Sequence, residues 1–389
     1  MVPSPDLLDR LLSDEGRTVL DSLPPGPLGP DDALAVGTRL RRRFPAELVA
    51  AALAQHELRT RAAARFTLAG EMWFTRVGLE QASTEPLARH RAGRYAGFDR
   101  VADLCCGIGG DLCALAPGRD AVAVDLDPVH PRMARENARV HGAGEVGAVR
   151  ADVRDLRLPR SLVVFVDPAR RAGGRRLPAP GSRPPLSWCL GLGDQVAGVG
   201  IKTAPGLPLG LVPPGWEVEL LADRRELKEA VLWSPALATT ARRATVFPGP
   251  STLVTRPGPP VRCAQPGAFL LDPSPAVTRA GLVEELARDL GAWKLDPRIA
   301  FLSADEPLAT PFGRLLRVDA SLPWSLRTLR QVLRERGVGT VEVRKRGSAV
   351  DVADLTGRLR LRGHDRAVVV LTRVADRPWA LVCAEETVA

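Results

Sequence analysis

Between residues 100 and 202 the chain repeats one pattern, a short apolar run that stops at a glycine, an acid or a lysine. The runs are "RVADLCC" (100–106), "DAVAVDLDP" (120–128), "EVGAVRADVRDL" (145–156), "LVVFVDPARR" (162–171) and "VAGVGIK" (196–202). Runs of this length, bounded by turn residues, predict buried strands, and "DLCALA" (111–116) predicts a helix after the first of them. Strand, glycine turn, helix and strand in that order predict an α/β fold of the nucleotide-binding kind. Residues 1–95 read as helical, with the clearest 3.6-residue period in "PAELVAAALAQHELRTRAAARF" (45–66). The Pro/Gly-rich "FPGPSTLVTRPGPP" (247–260) predicts the end of the sheet unit near residue 250. A connecting segment, 251–313, carries the helix-like "PAVTRAGLVEELARDLGAW". Beyond it "GRLLRVD", "SLRTLRQVLRERG", "TVEVRKRG", "RLRLRG" and "AVVVLTRV" predict a small α+β module over 314–389.

Composition narrows the class. A chain of 389 residues with 45% hydrophobic content exceeds one typical domain and can bury a sizeable core. "MVPSPDLLDRLLSDEG" has no basic segment leading into an apolar run, and no stretch reaches bilayer length, so the expectation is a cytoplasmic protein without a membrane partner. The formal net charge of +9 suits a polyanionic partner. Only Lys202, Lys228, Lys294 and Lys345 interrupt an otherwise all-arginine set, a skew that GC-rich coding also produces. Clustering says more than the total. One group is Arg39, Arg41, Arg42 and Arg43, a second Arg170, Arg171, Arg175 and Arg176, and a third Arg344, Lys345 and Arg346. The six cysteines form no C-x2-C pair, so neither a zinc site nor any other metal site is expected.

The loop "LCCGIGGD" (104–111) carries the first candidate chemistry. Asp125 follows Gly107 by 18 residues, near the spacing of roughly 20 at which an acid meets ribose hydroxyls. Leu112 stands where the third glycine of G-x-G-x-x-G would be, and no G-K-[ST] ending follows. A pyrophosphate ligand is therefore disfavoured, and a ribose-bearing nucleoside without phosphate is not. S-adenosylmethionine has that description. Gly107 and Gly109 would admit its methionyl part, Asp103 or Asp111 would meet its ammonium, Asp125 its ribose and Asp152 its adenine amino group.

The run "LVVFVDPARR" delivers Asp167 to the carboxyl edge of the sheet, where ligands of open α/β sheets bind, and Pro168 stiffens that turn. A carboxylate there is placed to accept a hydrogen bond from an exocyclic amine and to orient its lone pair. Lys202 either lines the same crevice or snorkels at a strand end. Carbon-5 methylation of a pyrimidine would need a cysteine nucleophile. The acid-proline turn carries none, and Cys189 lies 22 residues past Asp167.

Together, "DLCCGIGGD", "AVDLDP", "VDPARR", "GIKTAPGLP" and "ELKEAVLW" resemble a bacterial family of class I S-adenosylmethionine-dependent methyltransferases with a C-terminal THUMP-like domain. The likeness extends through "LEQASTEPLARHRA", "DPSPAVTRAG", "LDPRIAFL" and "VEVRKRG", from about residue 65 to the end. The acid-proline motif and the helix upstream are more distantly similar to RNA cap guanine-N2 methyltransferases. The resemblance implies a Rossmann-like seven-stranded methyltransferase sheet, with Asp103, Gly107, Gly109, Asp125 and Asp152 on the cofactor and Asp167 and Pro168 on the substrate side. It also implies that the THUMP-like module binds RNA, with Arg344, Lys345 and Arg346 on phosphates. One departure stands out. Amino methyltransferases usually follow the acid and proline with a second proline and a base-stacking aromatic, whereas Ala169 and Arg170 stand here. Stacking would then fall to the Arg170 guanidinium, or to Trp73, Trp188 or Trp233. The expected activity is methylation of a base, at an exocyclic amine, in structured RNA. Small-molecule methylation and a non-catalytic RNA-binding role for a retained cofactor fold are the alternatives.

Overall fold

The computed structural model describes residues 3–169, 171–172, 175–176 and 182–386. It divides into two compact units, residues 1–216 with 231–238, and residues 217–230 with 239–389.

The first unit begins with helices α1 (Pro5–Leu12), α2 (Asp14–Asp21), α3 (Pro30–Leu40), α4 (Ala46–Ala62), α5 (Arg76–Gln81) and α6 (Glu85–Ala92). Their starts follow from the sequence. Ser4, Ser13 and Thr75 accept from the backbone N–H of Leu7, Gly16 and Gly78, which satisfies donors that a helix leaves free. Leu8, Leu11, Val19, Leu48, Val49 and Ala52 fill one core with Phe66 and Phe74. Burying each of the larger aliphatic side chains contributes about 1.5–3 kcal/mol.

The α/β part follows as β1 (Arg100–Leu104), α7 (Leu112–Leu115), β2 (Asp120–Asp125), α8 (His130–Val140), β3 (Val146–Arg150) and β4 (Val163–Val166). After it come a minimal hairpin, β5 (Arg171–Ala172) and β6 (Arg175–Arg176), then α9 (Leu186–Gly191) and β7 (Gly198–Thr203). Strands pair in the order β7-β4-β1-β2-β3, all parallel. Every residue of β4 and β7 is buried, as expected of strands covered on both faces. The chain runs outward from β1 through β2 to β3 and returns to β4 on the other side of β1. The β1/β4 junction is therefore the topological switch point, where the carboxyl ends of the strands open a crevice.

In the second unit, β8 (Glu217–Asp223) pairs in parallel with β10 (Arg242–Phe247), which pairs with β11 (Ser251–Val254). Strand β9 (Glu226–Trp233) is divided between the two units. Strands β10 and β11 lie beyond the seven strands expected of the methyltransferase sheet. A second sheet contains β12 (Phe269–Pro273), β13 (Trp293–Lys294), β14 (Leu302–Ala304), β15 (Gly313–Pro323), β16 (Val338–Lys345), β17 (Asp365–Val374) and β18 (Arg377–Glu385), in the order β13-β14-β12-β15-β18-β17-β16. Helices α10 (Pro275–Ala280), α11 (Val283–Leu290), α12 (Leu326–Glu335) and α13 (Val352–Leu359) complete this unit. Leu329 and Leu333, one turn apart on α12, pack with Leu355, Leu359, Val369 and Leu371 into one core. Among the described residues, no helix is long and apolar enough to cross a membrane.

Candidate active site

Register decides which side chains meet at the switch point. Leu104 pairs with Val166, so Cys105 and Asp167 follow side by side on adjacent parallel strands. Asp167 donates its backbone N–H to Leu104 O at 3.2 Å. Val166 pairs with Ile201, which places Lys202 on the other side of Asp167. The Lys202 ammonium, 4% exposed, donates to Asp167 Oδ2 at 2.7 Å, while Asp167 is 29% exposed. Among the described residues no hydrogen bond reaches Oδ1. Lys202 therefore lines the crevice as the fixed partner of the acid. Pro168 is buried, and Arg170 lies outside the described residues.

Asp103 is 1% exposed, and among the described residues neither of its carboxylate oxygens has a hydrogen-bond partner. Burial raises its pKa well above the ordinary carboxylate range, and Asp111 and Asp167 push the same way against Lys202. A buried, unpartnered carboxylate in a crevice of acids fits a cationic ligand group.

The two loop glycines serve different purposes. Gly107 has φ +51°, and a Cβ there would meet nothing within 4 Å among the described residues, which leaves an open face for a ligand. At Gly109, φ +79°, a Cβ would lie 2.7 Å from Ala134 Cα, so this glycine lets α8 close on the loop. Cys105 takes the left-handed region without being glycine, at φ +61°.

Asp125, at the end of β2, accepts from Gly107 N at 2.9 Å, from Asp127 N at 3.0 Å, and pairs with His130 Nδ1 at 3.3 Å. Burial opposes its ionisation, but the hydrogen bonds and the His130 charge outweigh burial and lower its pKa. His130 shows the mirror image. Burial lowers its pKa, and the Asp125 carboxylate outweighs that and raises it. Beside this pair stands Leu126, 66% exposed, a large apolar surface next to Asp125.

The other expected residues have partners of their own. Asp111 is buried in an ion pair with Arg91, whose Nε donates at 2.8 Å. Asp152, beyond β3, is held by the Arg154 guanidinium, with contacts of 3.0 and 2.6 Å, which keeps its carboxyl at about 2. Trp73 is 6% exposed and stacked under Arg59, and Trp233 is fully buried against Tyr95, so neither is a stacking surface for a base. Trp188, on α9, is half-buried. Burial pushes the Cys189 thiol up to about 12, which leaves no thiolate nucleophile there. Among the described residues, no group of side chains is arranged to hold a metal ion.

In the second unit Arg344 and Arg346 both grip the buried Asp272. Arg344 Nη2 lies 2.5 Å from Oδ2 and Arg346 Nη2 2.8 Å from Oδ1. The Lys345 ammonium donates to Val350 O at 3.0 Å.

Proteins from two strains of Mycobacterium tuberculosis, CDC 1551 / Oshkosh and ATCC 25618 / H37Rv, are 39% identical to the chain over 310 residues. The match covers 77% of this chain and 84% of theirs, and both are named as uncharacterized S-adenosylmethionine-dependent methyltransferases. The chain belongs to this family. The methyltransferase fold has a solved counterpart from Porphyromonas gingivalis W83. It has a TM-score of 0.71 and 18% identity, and the match covers 93% of this chain and all of that one. Family models match residues 313–385 as a THUMP domain-like module and residues 4–62 as a domain of unknown function (DUF8688). The methyltransferase is an enzyme, its cofactor is S-adenosylmethionine, and the non-catalytic alternative falls away.

Proposed function

We propose that this methyltransferase modifies an exocyclic amine of a base in structured RNA. The observation that carries the proposal is the Asp167–Lys202 pair at the switch point, with one carboxylate oxygen fixed at 2.7 Å and the other open to the crevice. Structured RNA as the target is supported by the THUMP domain-like module and by the arginine-rich net charge of +9.

The residues fit the cofactor. Asp103 supplies an unpartnered carboxylate for an ammonium, and Gly107 supplies open space against the backbone. Asp125 faces ribose hydroxyls with the lone pairs that Gly107, Asp127 and His130 leave, and Leu126 offers its exposed side chain to the adenine ring. S-adenosylmethionine, when bound, supplies a methyl group on a positively charged sulfur.

Asp167 then accepts a hydrogen bond from the substrate N–H and turns the nitrogen lone pair towards the crevice. Lys202 holds the carboxylate in that orientation and balances its charge. No strong base is required, because the methylated amine releases its proton readily to water. The test is transfer of labelled methyl to RNA from cells that lack this protein, with Asp167→Ala alongside. Label that depends on Asp167 supports the proposal, and equal label with Asp167→Ala refutes the role of the acid.

A further inference from the structure

The turn between α3 and α4 presents four arginines that the methyl-transfer site does not use. Arg39, Arg41, Arg42 and Arg43 are all exposed. The turn is firmly built. Arg41 N donates to Gly37 O, Arg42 N to Arg39 O, and Arg43 N and Phe44 N to Leu40 O, at 2.9–3.3 Å. Leu40 is 5% exposed and Phe44 packs against the helical core, so the backbone is anchored while the four side chains are exposed, the Arg43 guanidinium lying over the Phe44 ring at 5.7 Å.

None of the four guanidinium groups pairs with a carboxylate among the described residues. Of the other arginines of the helical segment, Arg10 pairs with Glu15, Arg61 with Glu57, and Arg59 stacks on Trp73, while the isolated Arg17 is, among the described residues, exposed and without a carboxylate partner as well. The cluster is also not the by-product of a basic module. Residues 4–62 hold nine acids and eight arginines, yet half of those arginines fall within five positions. The negative end of α3 accounts for a cation or two near its last turn, worth about 0.3–1 kcal/mol each, but not for four. Arg344 and Arg346, by contrast, are held internally by Asp272.

From this we infer that the α3–α4 turn is a phosphate-binding surface for the RNA substrate, an inference that rests on the RNA part of the proposal above. Arginine forks match phosphate oxygens in pairs, and four on one short turn suit successive phosphates of a folded strand. An anionic membrane is the poorer fit, because the turn itself offers only the exposed Thr38 and Pro45 and the core-packed Phe44, and the exposed Leu34 lies more than one helical turn back from Arg39 on α3.

The test is fluorescence anisotropy of a labelled RNA hairpin with the full-length protein across a KCl series, comparing wild type with R39Q/R41Q/R42Q/R43Q. Each lost phosphate contact lowers the slope of log K against log [KCl] by about 0.7–0.9, so the fourfold variant should lose roughly 2.8–3.6 in slope and about ten-fold or more in affinity. The fourfold lysine variant should keep the slope. Retained thermal midpoint and S-adenosylmethionine affinity show that the variant is folded.

Unchanged slope and affinity overturn the inference. So does loss of binding to phosphatidylserine vesicles with RNA binding intact, or a wild-type protein that does not bind the hairpin. If Asp167→Ala methylates RNA like wild type while the arginine variant loses RNA affinity, the methyl-transfer proposal fails and this surface stands.

Discussion

Replacing Asp103 with asparagine should stabilise the ligand-free enzyme while weakening its hold on the cofactor. The side chain is 1% exposed and neither oxygen has a hydrogen-bond partner among the described residues, so the ionised form is buried without compensation. Asparagine keeps the shape and removes the charge, which relieves about 1–3 kcal/mol. In a chain of 389 residues each kcal/mol moves the thermal midpoint by about 1–2 °C, so a rise of about 1–6 °C is expected.

The sign with pH follows from linkage. Because the folded pKa is raised, the unfolded chain releases its proton first as pH rises. The destabilisation by Asp103 is therefore absent below about pH 3.9 and grows as pH rises towards the folded value. The advantage of asparagine should grow over the same window. Loss of a charge-assisted bond to the cofactor ammonium weakens binding by about 1.5–3 kcal/mol, or roughly ten- to 150-fold. Differential scanning calorimetry of the ligand-free protein and titration calorimetry with S-adenosylmethionine read the two effects. A lower midpoint, or unchanged cofactor affinity, would refute the assignment of Asp103.

Three further outcomes are expected. Lys202→Met should lower kcat by about ten- to a hundred-fold through misplacement of Asp167, with cofactor affinity within a few-fold of wild type, and Lys202→Arg should recover part of the loss; steady-state kinetics beside calorimetry separates the two. Leu126→Ser should weaken cofactor binding by about ten-fold and leave the thermal midpoint unchanged, because the side chain is 66% exposed in the ligand-free protein. His130→Gln should lower the midpoint most on the acid side of neutrality. The raised His130 pKa makes its contribution complete below about pH 6.5 and lost as pH rises through the folded value, while the lowered Asp125 pKa confines that carboxylate's share to above about pH 3.9. Thermal midpoints across pH measure the difference.

The parallel strands and the acids at their ends were legible because each is a local signal, an apolar run stopped by a glycine or an acid. Asp103, Gly107, Asp125 and Asp167 all sit at that edge. What the sequence concealed is pairing across distance. Lys202 meets Asp167 from 35 residues away, Arg91 meets Asp111 from 20, and Arg344 and Arg346 meet Asp272 from more than 70. A basic triplet looks the same in sequence whether it faces solvent or a buried acid, and only the strand register distinguishes the two. Strands β10 and β11 were hidden in the same way, since the Pro/Gly-rich stretch around residue 250 reads as a boundary while the chain pairs on either side of it.

The most direct test of the central claim is nucleoside analysis of RNA from cells lacking the protein, after incubation with the pure enzyme and methyl-labelled S-adenosylmethionine. The account predicts one labelled nucleoside with the methyl on an exocyclic nitrogen, absent with Asp167→Asn. Label on a ring carbon or a ribose oxygen, or label that survives Asp167→Asn, would contradict it.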